Sequence, residues 1–143
     1  MKIKIIFMMT ALMLSYGVSA ASDSWDKTRT GYTIYGPGFF NSTPFNDLSV
    51  PRNTSSITNV AWEWHTIPNG NTATEVQLCY RLPYATTDKI CADISADQTG
   101  NTSIFDGEDA RGRFWMRFKT FGGTYPVYST SRTADTLHVD YDY

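Results

Sequence analysis

The chain has 143 residues, 18% of them charged and 15% aromatic; an N-terminal export signal set aside, this is one domain's length with enough apolar surface to fold. Twelve Lys/Arg face fourteen Asp/Glu. Since Lys2 and Lys4 belong to the signal, the remainder carries a balance of −4, which argues against nucleic acid and anionic membrane surfaces as partners. The length also excludes large enzyme folds such as an eight-stranded β/α barrel, which needs about 250 residues.

The N-terminus reads as a cleaved secretory signal peptide over 1–20. Lys2 and Lys4 precede an apolar stretch from Ile5 to Leu14, and Val18-Ser19-Ala20 supplies a small-residue cleavage site. The apolar run is about half the twenty residues a spanning helix requires, so no stable membrane insertion is expected. Residues 21–143 then form one domain, secreted into the bacterial periplasm or beyond it. Export to an oxidising compartment leads to the expectation that Cys79 and Cys91, the two cysteines of the chain, form a disulfide bond. Their spacing is neither a redox C-x-x-C nor half of a complete zinc site.

Beyond the signal, two-residue alternation recurs between clusters of Gly, Pro, Asn, Thr and Ser, an all-β pattern. Tyr32–Tyr35 is read as an early strand. From Gly36 to Ser56 the glycines and prolines break any long element, leaving an ordered loop or edge that carries Phe39, Phe40 and Phe45. In Val60–His65, Val60, Trp62 and Trp64 share the core face. Glu75–Leu82 turns Val76, Leu78, Tyr80 and Leu82 inward, and Lys89–Ser95 does the same with Ile90, Ala92 and Ile94. These two strands make a hairpin with Cys79 and Cys91 nearly opposite each other on its outer face, close enough to bridge. Thr99-Gly100-Asn101-Thr102 is read as a turn. Arg113–Thr120 turns Phe114, Met116 and Phe118 inward, Val127–Thr130 is a short strand, and the chain ends in a strand with Leu137, Val139, Tyr141 and Tyr143 on one face. About seven short strands imply a single small antiparallel β-sandwich with one hairpin disulfide.

Catalytic chemistry finds little support. The two histidines, His65 and His138, lie in no nucleophile motif and fall on outer faces, where a solvated strand histidine is the ordinary reading. A shared metal would require them to converge with a carboxylate such as Glu63 or Asp140. Asp106-Gly107-Glu108-Asp109 lacks the ligand spacing of a calcium loop, and no phosphate cradle occurs. Neither a cofactor nor a metal is expected, and no catalytic residue. Several aromatics, among them Trp25 and the loop trio Phe39, Phe40 and Phe45, lie outside the expected strand cores. They either close the ends of the sandwich or contact a partner.

The order of landmarks resembles one known family. Trp25, the loop with Pro44, Val60-Ala61-Trp62-Glu63-Trp64, Val76-Gln77-Leu78-Cys79 with Cys91, Phe105-Asp106-Gly107 with Ala110, Phe114–Phe118, Gly122-Gly123, Pro126 and Leu137-His138-Val139-Asp140-Tyr141 are similar to the flagellar accessory protein FlhE family of enteric bacteria. The resemblance implies a periplasmic β-sandwich without catalytic activity, accessory to bacterial flagellum assembly. Such a protein limits proton leak through the export apparatus or acts like a chaperone. It carries over structural landmarks and no functional residue. The expected function is therefore to bind a protein partner, a flagellar or envelope component, with Phe39, Phe40 and Phe45 as the contact region. The alternative is a secreted carbohydrate-binding or adhesin-like module, whose signature would be Trp25 or Trp115 exposed beside polar side chains.

Overall fold

The computed structural model describes residues 20–52 and 55–143; the signal peptide expected over 1–20 lies outside them apart from Ala20. Eight strands run β1 Ser22–Arg29, β2 Gly38–Asn41, β3 Ser56–Glu63, β4 Ala73–Arg81, β5 Ile90–Asp93, β6 Thr99–Thr102, β7 Arg113–Phe121 and β8 Asp135–Asp142. They form two antiparallel four-stranded sheets, ordered β1-β8-β3-β6 and β2-β7-β4-β5. The fold is thus the expected all-β sandwich.

The inner faces follow from strict alternation. Leu137, Val139 and Tyr141 of β8 face the interior with Trp25, Ile57 and Val60, and they meet Phe114, Met116 and Phe118 of β7 with Val76, Leu78 and Tyr80 of β4. Full burial of each such side chain stabilises by about 1.5–3 kcal/mol, so these alternations specify the register. Phe114 is the hub. Its ring lies 5.0 Å from Tyr80, 5.2 Å from Phe105 and 6.3 Å from Trp25, tilted or edge-on as aromatic quadrupoles prefer. The Tyr80 hydroxyl donates to the Asp109 carbonyl at 2.9 Å, and Trp64 Nε1 donates to the carbonyls of Ile94 and Asp97. Buried polar tips are thereby satisfied.

The structure corrects five local expectations. Residues 22–29, with Trp25 their one large apolar side chain, form a strand because β8 pairs them residue for residue, Trp25 opposite Val139. Tyr32–Tyr35 is no strand; only Ile34 pairs, with Val127. After Val127 the chain turns into a 3-10 helix at Ser129–Ser131 rather than a strand. The supposed turn at 99–102 is β6, paired with β3 so that Gly100 stands opposite Trp62. A Cβ at Gly100 would lie 2.6 Å from the Trp62 ring; the glycine marks a close approach within a strand. Leu82, expected inside, is exposed because β4 ends at Arg81.

Cys79 and Cys91 are direct cross-strand partners in the β4–β5 hairpin, with Cα atoms 4.1 Å apart, and they are disulfide-bonded. Cys79 is nevertheless fully buried. Residues 82–89 turn back toward the outer face of the second sheet. Asp88 accepts from Arg81 Nε and from Arg117 of β7, both at 2.5 Å, and Arg113 of β7 donates to the Ala85 carbonyl at 2.7 Å.

Candidate functional site

The aromatic loop divides into three fates. Phe45 pairs through its backbone with Phe114 and is fully buried, so the expectation that it contacts a partner is corrected: its ring closes the core. Phe40, on the inner side of β2, stacks on Phe118 at 5.2 Å and is half-buried. Phe39 points the other way and is 67% exposed. The alternation of a four-residue strand produces this split, placing one ring in the core margin and the next in water.

Around Phe39 the outer face of the second sheet is a ladder of charge and aromatic groups. Phe39 stands opposite Lys119, and Lys119 opposite Glu75. The Lys119 ammonium lies 5.1 Å from the Phe39 ring, 4.7 Å from that of Phe121 and 3.5 Å from the Glu75 carboxylate. One step along, Arg117 donates to Asn41 Oδ1 at 3.3 Å. Phe39, Phe40, Asn41 and Arg117 line an open hollow of about 300 Å³. β2 is the edge of its sheet; its free side can accept an added strand through main-chain hydrogen bonds. The alternation of β7 puts Arg113, Trp115, Arg117 and Lys119 on this outer face, a face whose cationic character the sequence reading did not single out. Nor was the fold-back of Asp88 onto it legible there.

The outer-face tryptophan is half-buried and packs against arginine. Trp115 carries the Arg81 guanidinium 4.2 Å from its ring centre and that of Arg113 at 5.5 Å, while Trp25 is buried and donates to the Ala110 carbonyl. Burial alone would raise the Asp88 carboxyl, but the hydrogen bonds and charges of Arg81 and Arg117 hold it below the usual range.

Each histidine has its own carboxylates. His138 is clamped between Asp26, 2.8 Å from Nδ1, and Asp140, 2.9 Å from Nε2. Partial burial disfavours its charge, yet these two partners outweigh burial and raise its pKa. Asp140 also accepts from Asn59. With both ring nitrogens donating to carboxylates, the arrangement is that of a protonated imidazole. His65 lies 3.4 Å from Glu63 and 3.8 Å from Asp135. Asp135 accepts the His65 backbone N–H at 2.9 Å and faces Arg132 at 3.5 Å, both side chains of that pair being almost wholly buried. Burial pushes the Asp135 carboxyl up and the Arg132 guanidinium down. The described trio of ligand-type side chains close enough to share a metal is Cys79, Asp88 and Cys91. The disulfide consumes both sulfurs, so that trio offers a metal one carboxylate.

No protein-family model matches the chain, and no curated protein matches it in sequence. Among solved structures it is similar to one titled "Crystal Structure of FLHE", with a TM-score of 0.63 and 19% identity, over 87% of this chain and 100% of that one. The chain therefore has the fold of FlhE: a β-sandwich of two four-stranded sheets.

Proposed function

We propose that this chain is an exported, non-enzymatic accessory protein of the bacterial flagellum that acts by binding a protein partner in the periplasm. The observation that carries the reading is the FlhE fold, matched along the full length of the FlhE chain. The disulfide supports export, because such bonds persist in oxidising compartments. The exposed Phe39 beside Lys119 at the free edge of β2 supports partner binding, since a strand edge flanked by an aromatic anchor and a cation suits an extended segment. In this reading the bound partner is a flagellar or envelope component, and binding restrains proton leak through the export apparatus or chaperones a subunit. Deletion of the gene in its host tests the reading. Reduced flagellation or motility, or an acidified cytoplasm restored by the wild-type gene, is expected. Normal flagella, motility and pH in the deletion strain would contradict it.

A further inference from the structure

At the other end of the same sheet from Phe39, the β2–β3 and β4–β5 loops wall a second cavity of about 340 Å³. Pro44 and Leu48 form one side, Pro83 and Tyr84 the other, with Arg111 and Arg113 lining it between them. Its apolar lips are held in water. Tyr84 is 83% exposed and Leu48 75%. Tyr84 has φ +64°, the one positive value at a non-glycine among the described residues, and a bulky side chain adopts that conformation at a cost in strain.

The arginines are under-partnered. Among the described residues the Arg111 guanidinium has no hydrogen-bond or ion-pair partner, and its Nε, like that of Arg113, is shielded from solvent without an acceptor. The neighbouring acids are otherwise engaged. Asp109 accepts the Arg111 backbone N–H and the Ser55 hydroxyl, Glu108 is held by Lys89, and Asp88 by Arg81 and Arg117. In a chain whose overall charge is negative, the unpaired Arg111 guanidinium beside that of Arg113, whose one acceptor is the neutral Ala85 carbonyl, is a local complement to an acid.

We propose that this cavity binds a peptide segment of a protein partner through an Asp or Glu carboxylate on Arg111 and Arg113, with an adjoining apolar side chain between Leu48 and Tyr84. A bare anion would leave the apolar lips uncovered, whereas an acidic–apolar segment fills both halves. The site gives a chemistry to the partner of the proposed function and rests on that reading for its biological use.

The test is an NMR titration of the purified, disulfide-bonded protein with three probes: a blocked pentapeptide holding one aspartate between two phenylalanines, its asparagine counterpart, and inorganic phosphate. Saturable shifts at Leu48, Tyr84, Arg111 and Arg113 are expected with the aspartate peptide, at least tenfold weaker with the other two. Arg111→Gln and Tyr84→Gly should each weaken binding about tenfold. Tyr84→Gly also relieves the positive φ, so the fold is preserved. Equal binding of the asparagine peptide, phosphate as good as the peptide, shifts elsewhere, or an unaffected Tyr84→Gly would each overturn the proposal. A host deletion without flagellar phenotype would remove the flagellar reading and leave the titration result standing; a failed titration beside a clear phenotype would remove the pocket alone.

Discussion

Arg132 and Asp135 form a pair that neither side chain could survive alone in its surroundings. The guanidinium lies over Phe40 and Phe118, 5.7 and 5.4 Å from their ring centres, and it fits because position 31 is glycine: a Cβ there would stand 1.5 Å from Arg132 Nη1. Replacing Arg132 by alanine leaves the Asp135 carboxyl buried without its cation, so urea unfolding of Arg132→Ala should show a loss of about 3–5 kcal/mol. The His138 clamp gives a pH-dependent contribution. Its pKa is raised above the usual 6.5, so its stabilisation is complete below that value and is lost as pH rises through the higher folded-state pKa. The melting temperature of the wild-type protein should therefore decline as pH rises through that interval above 6.5, and His138→Gln should flatten the decline; an identical slope in the variant would refute the clamp. None of this was legible in the sequence. Arg132 and Asp135 sit in an unremarkable polar stretch, and His138 alternated outward like any solvated residue. Its partner Asp26 comes from a strand 112 residues away.

Elements with two or more large apolar side chains at alternate positions were legible, because burial of those side chains alone dictates the strand. β4, β7, β8 and the core of β3 are of this kind, and β5, with Ile90 and Ala92, follows β4 across the hairpin. β1 and β6 are not. The sequence of β6 is Thr-Gly-Asn-Thr, which signals a turn locally and becomes a strand through pairing with β3 and the room Gly100 leaves for Trp62. Gly100→Val should displace the Trp62 ring and lose about 1–3 kcal/mol by overpacking, read as a lower urea midpoint with a changed tryptophan emission. The hairpin disulfide was legible from spacing and alternation together. Reducing it should lower stability by about 3 kcal/mol in the chain-entropy account, measured by denaturant unfolding with and without reductant. Phe45 escaped because a loop residue reaches the core only through its long-range pairing with Phe114.

For the whole molecule, the two outer faces differ in character. The first sheet presents Asp26, Asp140, His138 and Glu63, while the second presents Arg81, Arg113, Arg117 and Lys119 around Trp115. The net negative charge conceals this division, so the composition that argues against nucleic acid as a partner does not reveal a cationic, aromatic-edged face. Of the expected contact region, Phe39 retains the exposure a contact requires. The most direct measurement is in-cell photocrosslinking from position 39, with position 28 on the outer side of β1 as control. The account predicts a discrete adduct with a flagellar or envelope protein from position 39 and none from position 28. No adduct from position 39, or the same adducts from both, would contradict it.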